Sequence, residues 1–191
     1  MLDWIKKIGK ETPEFWKNYT SKFETKSNRF VVISCETSGK NPETDVILSV
    51  AGIGVSNNSI CISDSFEIKI NYEENDLKII KPGINATLNP IEALKSFLEF
   101  VENAKLVSYH VDFEVDIINK MLSNLNCGKL KNEVFDLEVM HKKSENNLGK
   151  QFTLHELFEI YSIEKSDRNT AAMDAFSMSI LFLKLKSKLN L

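Results

Sequence analysis

"RFVVISCETSGKNPETDVILSVAGIGV", residues 29–55, decides the fold. An apolar run, Phe30 to Ile33, ends in Ser-Cys-Glu, passes through a turn-rich segment and gives way to a second apolar run. Read as a strand, the first run puts Ser34 and Glu36 on one face, because side chains alternate with a period of two. Glu36 then closes an apolar strand, where a lone charge is costly.

Three strands are predicted from this segment onward: 29–34, 45–55 and 60–70, with Asn57-Asn58 as the tight turn between the last two. They read as an antiparallel meander. Upstream, residues 1–28 read as a helical extension. Leu2, Ile5 and Ile8 share a face, Thr12 and Pro13 restart the helix as N-cap and first residue, and Phe15, Trp16, Tyr19 and Phe23 form an aromatic stripe. That stripe packs on the back of the domain or docks a partner protein.

Downstream, residues 72–90 are punctuated by Pro and Gly and read as a loop. A helix over 90–103 turns Ile91, Leu94, Phe97, Leu98 and Val101 inward. A strand over 105–109 leads to a helix over 111–125 with Val115, Ile118 and Leu122 on its apolar side. A short strand over 134–137 and a polar loop over 142–150 follow. Thr153 caps a helix through Tyr161 with Glu156 completing a capping box, and a last helix runs from Thr170 to Leu189. The order predicts an α/β domain over 29–191 with a mixed five-stranded sheet, antiparallel first and parallel after, flanked by helices.

Composition narrows the function. The chain has 191 residues and a formal net charge of −3, so a nucleic-acid role needs a local basic patch. Cys35, Cys61 and Cys127 are far apart with no CxxC, against a disulfide framework and a structural zinc. No apolar run is long enough to span a membrane, so the expected location is the cytoplasm. "GIGVSN" lacks the third glycine of a dinucleotide fingerprint and lies on a strand, so it is core.

Three acids fall at the ends of elements: Glu36 after the first strand, Glu114 at the start of the helix after the fourth, and Asp174 at the start of the last helix. Carboxylates converging from separate elements are the donors that Mg²⁺ or Mn²⁺ prefers, although scattered surface acids satisfy the same pattern.

The segments around these acids are Ser34-Cys35-Glu36-Thr37-Ser38-Gly39 with Asn41-Pro42, then Tyr109-His110-Val111-Asp112-Phe113-Glu114, then Asn169-Thr170-Ala171-Ala172-Met173-Asp174-Ala175. In that order they resemble the three motifs of the DEDDh, or DnaQ-like, 3′–5′ exonucleases, the family of the proofreading epsilon subunit of bacterial replicative polymerase. The resemblance covers residues 29–189 and implies a ribonuclease-H-like fold. It implies metal ligands at Glu36, Glu114 and Asp174, and contacts to a single-stranded DNA or RNA 3′ end from Thr37, Ser38, Gly39, His110 and Phe113.

The motifs also depart from the family. Ser34 stands where the family has its metal-bridging aspartate, Glu114 is one methylene longer than the second-motif aspartate, and Asn169 stands where the family has a histidine base. Lys40 replaces an apolar residue. Two-metal hydrolysis holds its ions ~3.5–4 Å apart, and this donor set is short of charge for that. Asp112 and Asp116 lie about 200° round the helix from Glu114 and cannot substitute for it. The expectation is an attenuated or inactive domain holding at most one weak Mg²⁺ or Mn²⁺ and binding nucleic-acid ends or a protein partner. The alternatives are an active, atypical exonuclease and a structural subunit of a polymerase or repair complex recruited through residues 1–28.

Overall fold

The computed structural model describes residues 12–72, 88–146, 149–164 and 170–191. The helical reading of Leu2 to Ile8, most of the loop over 72–90, and Asn169 lie outside the described residues.

Helix α1 (Glu14–Ser21) and a 3₁₀ turn (Lys22–Glu24) lead into the meander β1 (Phe30–Thr37), β2 (Ile47–Ser56) and β3 (Ser59–Lys69). Then come α2 (Pro90–Val101), β4 (Lys105–Ser108), α3 (Val111–Asn124), β5 (Val134–Asp136), α4 (Leu137–Ser144), α5 (Leu154–Ile160) and α6 (Ala171–Leu189). The sheet has five strands in the order β3-β2-β1-β4-β5. The β1–β2 and β2–β3 pairs are antiparallel, and β1–β4 and β4–β5 are parallel. This is the mixed sheet expected from the order of elements.

Alternation along β1 divides the core into two layers. Val31 and Ile33 belong to a cluster with Trp16 and Tyr19 of α1, Phe97 and Leu98 of α2, and Ile117 and Ile118 of α3. Val32 belongs to a second cluster with Leu137 of α4, Phe158 of α5, and Ala171, Ala175 and Phe182 of α6. Helices α1–α3 therefore cover one face of the sheet and α4–α6 the other. Ser34 and Glu36 share the parity of Val32 and so belong to the α6 side.

Local chemistry sets the boundaries. Asn57 and Asn58 have φ of 49° and 58°, the left-handed pair that closes a two-residue hairpin. Asn89 caps α2 by accepting from the Ile91 and Glu92 N–H groups, with Pro90 in the first turn. Thr153 and Glu156 form the expected capping box of α5. On α3, Ile118 and Leu122 are buried as expected, but Ile117 and Met121 join them while Val115 is half-buried.

Two readings need correction. Pro13 is itself the N-cap of α1, with ψ 147°, and the helix begins at Glu14, one residue later than expected. Residues 142–144, read as loop, complete α4. That helix starts directly after β5 because Asp136 is both the last strand residue and the cap that accepts from Val139 N–H at 3.0 Å.

The aromatic stripe of α1 is core. Trp16 and Tyr19 are buried and Phe15 and Phe23 half-buried. The Tyr19 hydroxyl donates to Asn132 Oδ1 at 2.6 Å and accepts from Lys131 N–H at 2.8 Å. The Asn132 amide in turn donates to the carbonyls of Glu102 and Ala104.

Candidate active site

The C-terminal end of β1 gathers part of the expected constellation. Ser34 is buried and stands opposite Ala51 of β2. Glu36 is half-buried and stands opposite Ser49, whose hydroxyl donates to its Oε2 at 2.6 Å. A register shift follows between Glu36 and Thr37, and the chain then tightens on itself. Thr37 Oγ1 donates to Gly39 O, and Ser38 Oγ donates to Asp45 Oδ1. A side chain at Gly39 would collide with the Asp45 carboxylate, so the close turn requires glycine.

Glu114 comes from the first turn of α3, and its carboxyl enters the sheet rather than a solvent cleft. It is 7 % exposed, and its Oε1 accepts from the Cys35 N–H at 3.0 Å. Its Oε2 is enclosed without a hydrogen-bond partner among the described residues. Burial pushes the carboxyl up to about 8; the Ser108 hydroxyl and Cys35 N–H oppose the shift, and the charges of Asp136 and Asp174 add to it. The Ser108 hydroxyl already donates to Ile33 O at 3.0 Å, which weakens its opposition. Glu114 is therefore largely neutral at pH 7. Asp112 and Asp116 are exposed while Glu114 is buried, so they face away from it.

Asp174 lies half-buried in the first turn of α6, close enough to act electrostatically on Glu114. His110 is the N-cap of α3 in a left-handed conformation, φ 54° and ψ 48°, and stacks on Tyr109 with ring centroids 4.1 Å apart. Phe113 is half-buried and lines a cleft beside it.

Sequence reasoning missed two acids. Asp136 joins the starts of two helices, accepting from Val111 N–H of α3 and Val139 N–H of α4, both at 3.0 Å. Glu138 is buried in α4; burial alone would raise its carboxyl, but the Lys142 ammonium and the Phe152 N–H, each at 2.8 Å, hold it below the usual carboxylate range. Its Oε2 lies 3.5 Å from His110 Nε2. An Asp at a strand end just before an apolar-periodic run is the sequence signal for such a cap.

Among the described residues, no three His, Cys, Asp or Glu side chains are grouped so as to hold a metal ion. The donor set explains why. Ser34 brings no charge, Glu114 is neutral and turned to the β1 backbone, and Glu36 is engaged by Ser49. These residues do not fit a pair of divalent cations.

No family model matches the chain. It is 28% identical over 168 residues to a PolC-type DNA polymerase III of Caldanaerobacter subterraneus, covering 84% of this chain. It is 24% identical over 178 residues to a PolC-type DNA polymerase III of Staphylococcus aureus, covering 86% of this chain. The chain spans 12% of the length of each of these relatives. Its fold matches E. coli exonuclease I in complex with a dT13 oligonucleotide, with a TM-score of 0.70 at 15% identity, over 86% of this chain and 42% of that one. It also matches exonuclease X in complex with 5′-overhanging duplex DNA, with a TM-score of 0.62 at 9% identity, over 85% of this chain and 93% of that one. Sequence similarity along most of the chain and a shared mixed sheet agree: this chain is similar to the PolC-type polymerases in sequence and carries the ribonuclease-H-like fold of the DnaQ-like exonucleases it resembles.

Proposed function

We propose that this 3′–5′ exonuclease-family domain hydrolyses poorly or not at all and works by binding a protein partner. The observation that carries the reading is the pair Ser34 and Glu114. The position of the family's metal-bridging acid holds a buried serine, and the second-motif acid accepts from the Cys35 N–H instead of facing an open cleft. Two Mg²⁺ ions bring four positive charges, against which Glu36 and Asp174 are the remaining carboxylates of the motif set. Asn169, at the position of the base, has an amide that takes no proton at neutral pH.

Electrostatics favours a protein over a nucleic-acid end. Without divalent ions the acids around this edge, Glu36, Asp136, Glu138 and Asp174, repel phosphates instead of bridging to them. The second reading, a 3′-end binder or slow exonuclease, draws on the fold match to exonuclease I with its bound oligonucleotide. A 3′-labelled single-stranded oligonucleotide incubated in Mg²⁺ and in Mn²⁺, with anisotropy at two salt concentrations, separates the two. The expected result is an intact oligonucleotide and weak, salt-sensitive binding. Stepwise shortening from the 3′ end by the unmodified chain overturns the proposal.

A further inference from the structure

A surface cleft of 470 Å³ opens where α3 and α4 begin, beside β5. It is lined by His110, Asp112, Phe113, Val134, Glu138 and Val139, among others. Val134 and Val139 are 41 % and 45 % exposed, and they are two of the five large hydrophobic side chains exposed among the described residues. Single exposed apolar side chains need no explanation, but two flanking one cleft beside a half-buried phenylalanine give a ligand apolar contacts there.

Charge and backbone restrict what fits there. The lining includes three acids, Asp112, Asp136 and Glu138, and neither a lysine nor an arginine. Lys142 and His110 lie against Glu138, which leaves Asp112 and Asp136 as lining acids with no cation paired to them among the described residues. Asp136 is held by two backbone N–H groups and stays in place. The sheet order ends at β5, so Val134 lies on an edge strand, the kind of edge that an extended segment can join.

We infer that this cleft docks a short extended segment of another protein, one that carries branched aliphatic side chains alternating with lysine or arginine. The aliphatic side chains meet Val134, Val139 and Phe113, and the cations meet Asp112 and Asp136. Nucleic acid is the wrong ligand here, because its phosphates would approach the same carboxylates. The inference rests on the binding reading above and names its partner chemistry.

The probe is an acetylated, amidated pentapeptide of sequence Lys-Val-Lys-Val-Lys, titrated into the full chain with amide and methyl NMR detection. Its charge-reversed counterpart Glu-Val-Glu-Val-Glu and a short oligo-dT serve as the other arms. The expected result is shifts confined to the amides of His110 and Phe113 and the methyls of Val134 and Val139. Binding should weaken by about tenfold for the acidic peptide, and by several-fold with added salt or in Asp112→Asn. Val139→Ser, on the exposed lip, should weaken binding without altering the rest of the spectrum. Equal binding of the two peptides, shifts that avoid the cleft, or movement of the same signals by oligo-dT alone would each overturn the inference. Digestion of the oligonucleotide would instead count against the proposed function, and leaves the peptide result to be judged by itself.

Discussion

Glu114 is tied to the backbone of β1 by the Cys35 N–H, 3.0 Å from its Oε1, while its Oε2 is enclosed without a partner among the described residues. Burial makes charge on that oxygen costly, which favours the protonated carboxyl over the ionised one.

Stability should therefore fall as pH rises. The folded carboxyl titrates near 8, above its unfolded value near 4.5, so the folded chain holds a proton that the unfolded chain has released between those limits. The contribution is complete below about pH 4.5 and is lost as pH rises through about 8, a swing on the order of a few kcal/mol. Glu114→Gln, which stays neutral, should flatten the slope of chemical-denaturation stability between pH 5 and 8. An unchanged slope would mean that the carboxyl is ionised in the folded chain.

The N-terminal aromatic residues should behave as core. Trp16→Ala removes a buried indole and should cost ~3–5 kcal/mol. Tyr19→Phe leaves the Lys131 N–H and Asn132 Oδ1 without the hydroxyl they share, at a cost of ~1–3 kcal/mol. Melting curves should show both losses, the first larger. Unchanged curves would return the stripe to the role of an exposed docking face.

The fold was legible where local chemistry and packing agree. Asn57-Asn58 names its own turn, Asn89-Pro90 its own helix start, and the alternation of Phe30 to Glu36 fixes which side chains meet which layer. Helix α4 was partly hidden because His141 to Ser144 look polar in sequence. In the structure His141 is buried, with Nδ1 3.0 Å from the Tyr161 hydroxyl. The motif positions could be read from spacing, but the depth of Glu114 could not. It depends on how far α3 leans over the end of β1, which is a matter of tertiary packing. Asp136 and Glu138 escaped notice in part for the same reason: beside the local partners Val139 and Lys142, each also accepts from a backbone N–H of a distant segment, Val111 and Phe152.

A bulge in β3 should prove sensitive to one methyl group. The β2–β3 register passes from Ile53↔Ser65 to Gly54↔Cys61, so Ile62, Ser63 and Asp64 stand outside the ladder. Asp64 folds over Gly54 and pairs with Arg29 through two bonds of 2.8 and 2.7 Å, while Arg29 also donates to Phe100 O and lies over its ring. A Cβ at Gly54 would overlap the Asp64 carboxylate. Gly54→Ala should cost ~1–3 kcal/mol. In the double variant with Asp64→Ala the cost should be less than the sum of the single costs, because the clash and the pair are one interaction. Additive urea midpoints would show that the bulge relaxes elsewhere.

Rebuilding the motif set tests the attenuated site most directly. Ser34→Asp adds a carboxylate at a buried position near Glu36, so without divalent ions it should lower the melting point. Mg²⁺ should then restore part of the loss, whereas it should move the unmodified chain little; a ligand at a hundred times its Kd stabilises by roughly 2.7 kcal/mol. Hydrolysis should stay poor, because loss of a general base costs ~10²–10⁴-fold and Asn169 is unchanged. Asn169→His alone should do little, since a base with no positioned metal-bound water has nothing to activate. Ser34→Asp, Glu114→Asp and Asn169→His together should raise release of 3′-terminal nucleotides well beyond the product of the single gains, because groups acting as one unit are non-additive. Glu114→Asp also changes the contact to β1: the shorter side chain must give up the Cys35 N–H to reach a cation. If the triple variant gains metal affinity but no hydrolysis, α3 holds its acid too far from the cleft. If the unmodified chain already matches the triple variant, Glu36, Glu114 and Asp174 suffice as they stand, and the reading of a silent site fails.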